Sequence, residues 1–220
     1  MSEPKQLDSI LRLIENPIRR KILKRLSQEP SYPLEIAKEI GEAQQLVTSH
    51  LSLLEKAGIV SSSLAPSPLG PNRKSYFLNQ SAYLSISFGP HLFNEQFLNF
   101  EVLPRDLSSQ ATEFMKRISA IKDGNNESKM EPFSCLFKDI DDKMAKLEGE
   151  KTALLFIRDL AMKYASQNID NQQKTHNEKR ILHYILDERN KSIESISKAL
   201  NLKESLVRSM LEKLKEEIPY

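Results

Sequence analysis

Ala43-Gln44-Gln45-Leu46-Val47-Thr48-Ser49-His50-Leu51-Ser52-Leu53-Leu54-Glu55-Lys56-Ala57-Gly58 is the stretch from which the rest of the chain can be laid out. Placed at about 100° per residue, Val47, Leu51 and Leu54 fall within one narrow arc, as on a helix with a single buried face. The helix is expected to begin close to Ala43 and to end at Ala57-Gly58. With that arc inward, Gln45, Ser49 and Ser52 turn outward, and Gln44 and Thr48 lie beside them. The outer face is therefore polar, short and uncharged.

Upstream, Ile22, Leu23 and Leu26 form an apolar stripe just after Asn16-Pro17, where a proline in the first turn costs no hydrogen bond. This predicts a helix from near Ile18 to about Gln28. It stops there because Pro30 and Pro33 bias their preceding residues away from helix. Leu34, Ile36, Ala37 and Ile40 make a second short helix, and Gly41 closes it, since glycine takes a left-handed C-cap without steric cost. Downstream, Ile59 to Ser63 can pair with Arg73 to Leu78 across a long, Pro-rich connection, Leu64 to Asn72. That length argues against a two-residue hairpin turn and for a wing carrying Arg73 and Lys74 at its rim.

Three helices with a tight turn between the second and third, followed by a basic hairpin, are the order of a winged helix-turn-helix. On such a frame the outer face of the third helix suits base reading. A glutamine amide can pair bidentately with adenine in the major groove, and Ser and Thr hydroxyls can donate to or accept from several base edges. Arg73 and Lys74 then suit a phosphate backbone. The bland alternative for the helix is an ordinary solvated face, and for the basic pair an ordinary solvated surface.

Asn16-Pro17-Ile18-Arg19-Arg20-Lys21-Ile22-Leu23, Val47-Thr48-Ser49-His50-Leu51 and Leu54-Glu55-Lys56-Ala57-Gly58-Ile59-Val60 together resemble the ArsR-type winged-helix transcription regulators, especially their larger archaeal members. The resemblance covers about the first 80 residues, and related winged-helix families share the Leu-Glu-x-Ala-Gly ending. It implies a dimeric, cytoplasmic, DNA-binding repressor or activator. Carried over by position, it places recognition on Gln44, Gln45, Thr48, Ser49 and His50, and the wing contact on Arg73 and Lys74. Metal-sensing members carry thiols before the recognition helix. This chain has Tyr32, Pro33 and Leu34 there, which argues against that sensing mode.

At 220 residues the chain can hold two domains, each with its own core. No apolar run approaches the ~20 residues of a membrane span, and the first residues lack the apolar core of a secretory signal, so no membrane partner and a cytoplasmic location are expected. The net charge of +2 is divided as +3 through Gln80 and −1 beyond it. Arg19, Arg20, Lys21, Lys24 and Arg25 form the densest basic cluster, suited either to gripping phosphates or to a solvated helix face. The lone Cys135 excludes an internal disulfide and any paired-cysteine site, and its apolar neighbours predict a buried thiol. His50, His91, His176 and His183 show no ligand spacing, and there is neither a Gly-rich phosphate loop nor a nucleophile elbow. No catalytic residue, cofactor or metal ligand is expected, and hence no enzymatic activity.

An offset of 160 residues superposes the C-terminal end on the N-terminal helix-turn-helix: Arg20 on Arg180, Leu26 on Leu186, Ile36 on Ile196, Val47 on Val207, Leu51 on Leu211 and Leu54 on Leu214. Asn201 takes the place of Gly41, and asparagine also tolerates the left-handed region. A second helix-turn-helix is expected, with helices over about 178–188, 193–200 and 203–217. Its third helix exposes Glu204, Glu212 and Glu216, and Ile218-Pro219-Tyr220 leaves no room for a wing, so packing or dimerisation is preferred over a second reader. Between the two lies a strand over Ser81 to Phe88, then Phe93, Phe97 and Phe100 at helical spacing, read as core packing or, less readily, an aromatic ligand pocket. A helix over Ser108 to Ile121 and a polar loop over Lys122 to Lys129 follow. Phe133, Phe137, Ile140, Met144 and Leu147 then step by four and three, a coiled-coil seam. The stripe resumes at Leu154, Ile157, Leu160, Ala161 and Tyr164, either along one helix bent near Gly149 or across two.

The expected architecture is mostly α with a small β-wing. Residues 1–88 form a winged helix-turn-helix, 89–176 a helical connector with a dimerisation seam, and 177–220 a second helix-turn-helix. The expected function is a homodimeric, sequence-specific transcription regulator bound to double-stranded DNA at an inverted repeat, with its effector unspecified. The alternative is a tandem winged-helix scaffold that binds partner proteins of chromosome or transcription machinery.

Overall fold

The structure is a computed structural model that describes residues 3–67, 70–100, 106–123, 130–188 and 192–214. It divides into two compact units, residues 1–85 with 95–106, and residues 86–94 with 107–220.

The first unit opens with α1 (Glu3–Ile14), which the sequence reading did not anticipate, followed by α2 (Pro17–Leu26), α3 (Pro33–Ile40) and α4 (Gln44–Lys56). The Asn16 side chain accepts from Ile18 N–H at 2.9 Å and Arg19 N–H at 3.2 Å, capping α2 while Pro17 occupies the position that needs no donor. Gly41 lies at φ 73° and ends α3, and Gly58 at φ 76° turns the chain out of α4, both left-handed as glycine permits. Ile22, Ile36, Val47, Leu51 and Leu54 are fully inaccessible and meet in one core with Val60 and Tyr76, while Ile10 and Leu13 of α1 pack against it. Each such aliphatic side chain contributes roughly 1.5–3 kcal/mol by leaving water.

The wing is β1 (Val60–Ser67) paired antiparallel with β2 (Gly70–Leu78), in register from Val60↔Leu78 to Ala65↔Arg73. Pairing continues past the expected loop to Ser67↔Gly70, with an irregularity between Ala65 and Ser67. The long Leu64–Asn72 connection is thus corrected: only residues 68 and 69, outside the described residues, separate the strands. Proline by itself points to a loop, but Pro66 sits where the pairing shifts register, a place that tolerates a residue without a donor. Ser31 exchanges backbone hydrogen bonds with Tyr76 at 3.0 and 2.9 Å, so the segment between Pro30 and Pro33 tethers the helices to β2.

Strands β3 (Ala82–Gly89) and β4 (Leu92–Asn99) form a second two-stranded sheet. This corrects the helical reading of Phe93, Phe97 and Phe100. On a strand, residues four apart also share a face, so spacing alone could not separate the two, and Phe93 and Phe100 are 64% and 56% exposed rather than packed.

The second unit contains α5 (Ser109–Asp123), α6 (Met130–Asn171), α7 (His176–Glu188), α8 (Ile193–Leu200) and α9 (Glu204–Lys213). The polar loop expected over 122–129 is corrected at its start, because Lys122 and Asp123 continue the last turn of α5; its remainder, 124–129, and the expected end of the last helix beyond Leu214 lie outside the described residues. α6 is one continuous helix of 42 residues, so Gly149 neither breaks it nor separates two helices. α5 packs along α6, with Arg117 2.7 Å from Asp139. Ile169 of α6 joins Ile181, Leu182, Ile185, Ile196, Val207 and Leu214 in a second core. Thr175 and Glu178 cap α7 reciprocally, the carboxylate accepting from Thr175 N–H and hydroxyl at 2.8 Å each. Asn201 ends α8 in the left-handed conformation at φ 53°. Cys135 is exposed, which corrects the buried-thiol expectation: its apolar neighbours stand on other sides of a helix that presents several faces to solvent.

Candidate nucleic-acid interface

The burial of Val47, Leu51 and Leu54 fixes the rotation of α4, and with it what faces outward. Gln44, Gln45 and Ser49 are exposed and, among the described residues, free of protein partners. Thr48 and Ser52 are half-buried. Their hydroxyls donate back to Gln44 O at 2.9 Å and Thr48 O at 3.0 Å, which leaves them only acceptor capacity toward a ligand. His50 sits on the flank, half-buried, with its Nδ1 enclosed and unpaired among the described residues. The outer face thus offers two long, uncommitted amides and one free hydroxyl.

The wing side of α4 is organised by Glu55. Its carboxylate accepts from Lys74 Nζ at 2.8 Å and from Ser62 Oγ, one partner on each strand of the wing. Lys74 also lies 4.9 Å from the centre of the Tyr76 ring, a cation–π contact. The Lys74 ammonium and then Ser62 hold the Glu55 carboxyl below its ordinary range, while Glu55 and then Tyr76 hold the Lys74 ammonium above its own. Of the two basic wing residues, Arg73 is exposed without a partner among the described residues, whereas Lys74 is committed to joining the wing to α4.

Most of the basic cluster on α2 is spoken for as well. Arg19 donates to Leu13 O and to Arg12 O at 2.8 Å, and Arg20 donates to Ile14 O and to Glu15 O at 2.7 Å. These are the carbonyls that a helix end leaves unpaired, so both guanidiniums stabilise the C-terminus of α1 by hydrogen bond and by dipole. Arg25 pairs with Glu39 and, at 2.9 Å, with Glu29, which together raise its pKa further, the Glu39 hydrogen bond foremost. Lys21 approaches Glu42 at 3.9 Å, and Lys24 alone of the five has no partner among the described residues. Of the two readings the sequence allowed, the geometry supports neither in full: the cluster is mainly internal fastening. Apart from the i,i+4 spacing of Arg25 and Glu29, no sequence signal reveals this, because the other acceptors are backbone carbonyls or carboxylates of another helix or turn.

A family model described as a helix-turn-helix domain matches residues 14–62, which takes in α2, α3, α4 and the first residues of β1. No curated protein matches the chain. Fold and match together define the class of the N-terminal part: a helix-turn-helix domain followed by a β-wing, a fold suited to binding DNA. Among the described residues no helix is long and apolar enough to cross a membrane.

Proposed function

We propose that the chain is a homodimeric, sequence-specific transcription regulator of ArsR-like type that acts on an inverted-repeat DNA site. The observation that carries this reading is the outer face of α4, where Gln44, Gln45 and Ser49 stand exposed and unpaired beside a wing clamped to the same helix. Gln44 and Gln45 read base edges, Ser49 and Thr48 add contacts, His50 flanks them, and Arg73 holds the phosphate backbone. Lys74 sets the angle of the wing.

The dimer rests on α6. Phe137, Met144, Leu147, Leu154, Ile157 and Tyr164 are 49–65% exposed along its length, and an apolar ridge on a helix of about 60 Å is unfavourable in water unless another chain covers it. The steps of four and three suit a coiled coil with a second copy. The helices α7 to α9 serve as a helix-turn-helix repeat used for packing, supported by the left-handed Asn201 at the position of Gly41 and by Val207 and Leu214 buried as Val47 and Leu54 are.

Selected-site sequencing on the full chain is the test. An inverted repeat should emerge, with half-sites ~34–36 Å apart or a multiple of that. Gln45→Ala should lose ~1–3 kcal/mol on that site and relax preference at one base pair of each half. An unchanged motif and affinity would remove Gln45, and with it this face, from base reading.

A further inference from the structure

We propose that the second unit carries an effector site for a small organic acid with an apolar body. A groove of about 580 Å³, open to solvent, lies within this unit, lined by the turn of the second hairpin, the C-terminal third of α6, and α7. Its size falls in the range of small-molecule sites.

Its walls are fastened by contacts remote in sequence. The turn is anchored where His91 N–H donates to Asp159 Oδ1 at 2.9 Å. Gly89 allows the approach, because a Cβ there would come within 3.2 Å of the same carboxylate oxygen. On the other side Arg158 joins α6 to α7, its Nη2 2.6 Å from Asp187 Oδ1 and 3.0 Å from Asp187 O. The opening between the hairpin turn and the helices is therefore held on both sides.

The uncommitted polar groups decide what would fill it. Asp187 is neutralised by Arg158, and Asp170 faces Lys179 at 3.9 Å, so neither lining carboxylate is an unopposed charge. Arg180 donates once, to Leu200 O at 3.0 Å, and its other N–H groups have no acceptor among the described residues. The Tyr184 hydroxyl has none either, and His183, engaged through Nδ1 with Ser166 Oγ at 3.3 Å, keeps Nε2 for another partner. One guanidinium with spare donors, a phenol and an imidazole nitrogen match the oxygens of a carboxylate. Leu92, Phe93, Met162 and Leu200 supply the apolar wall for the rest of the molecule.

The two strands that leave this turn, β3 and β4, lead into the unit that bears the wing. A ligand resting on Leu92 and Phe93 therefore touches the segment that joins the units, and if it changes DNA affinity by some factor, DNA changes the ligand's affinity by the same factor. That coupling rests on the proposed function; binding itself does not.

The chain has no tryptophan, so Phe93→Trp places a single reporter at the groove. The full-length variant is titrated with phenylacetate and, in parallel, with its neutral counterpart phenylacetamide. A saturable emission change with phenylacetate, at least tenfold weaker with the amide, is expected. Arg180→Gln in the same background should weaken phenylacetate at least tenfold. Because that change also removes the bond to Leu200 O, Met162→Trp is run on the parent chain as a second arm: it fills the groove, leaves the polar groups in place, and should abolish the rise in Tm that phenylacetate gives the parent. No response to phenylacetate, an equal response to the amide, or undiminished binding in both variants would overturn the site. DNA affinity is then measured with and without phenylacetate; failure of DNA binding with intact ligand binding would strike the proposed function and leave the site standing.

Discussion

The wing provides the sharpest discrimination, because two adjacent cations that look alike in sequence are assigned different work. Arg73 is exposed and unpaired among the described residues, and Lys74 is held 2.8 Å from Glu55. Each phosphate neutralised by a side chain contributes about 0.9 to the slope of log affinity against log salt. Arg73→Gln should therefore flatten the slope by about 0.9, so that between roughly 50 and 200 mM salt the parent's advantage over the variant shrinks about 3.5-fold. Lys74→Gln, made together with Glu55→Gln so that no unmasked carboxylate faces the phosphates, should change the slope by less than about 0.3, since the ammonium it removes is not on phosphate. Glu55→Gln alone gives the converse outcome: it releases Lys74 and should steepen the slope by up to about 0.9. Fluorescence anisotropy on a labelled duplex across a salt series reads all three. A slope lost with the double variant and kept with Arg73→Gln would refute the assignment and show that the Glu55 contact gives way when DNA binds.

The remaining expectations concern assembly and stability. Met144→Asp together with Leu147→Asp puts two charges into the α6 ridge and should convert a dimer to monomer in sedimentation; a folded dimer indistinguishable from the parent would move the interface elsewhere. Leu51→Ala empties a fully inaccessible position and should cost ~2–5 kcal/mol in urea unfolding of the first unit, whereas a loss below 1 kcal/mol would contradict its burial. Glu55 and Glu178 have folded pKa values below the ordinary 4.5, Glu55 through Lys74 and Glu178 through the N–H and hydroxyl of Thr175. Their stabilisation is complete above that value and is lost as pH falls through the depressed ones, so Glu178→Gln should lessen the fall in Tm between about pH 5 and pH 3. An identical acid limb in parent and variant would show that the cap carries no linkage.

Sequence alone determined the elements whose signals are local. The periods of Ile22–Leu26 and Val47–Leu54, the cap at Asn16-Pro17 and the left-handed Gly41 each depend on residues within a turn or two, so α2, α3 and α4 were legible with their faces; of the wing, the two strands were legible, but not their register or their extension to Ser67 and Gly70. The Asn201 turn was legible for the same reason. The Thr175–Glu178 capping box and the Leu7, Ile10 and Leu13 stripe of α1 are written there too, as a cap pattern and a helical period that the reading passed over. Tertiary structure decided what depends on partners far along the chain. Phe93 and Phe97 fit a helix or a strand equally well by spacing, and only pairing with β3 makes them strand residues. Lys74, Arg19, Arg20 and Arg25 resemble any other cations in sequence. A charged side chain's partner in the folded chain is set by whichever acceptor lies near it in space, and Glu55, the end of α1 and Glu39 are the acceptors that these four meet.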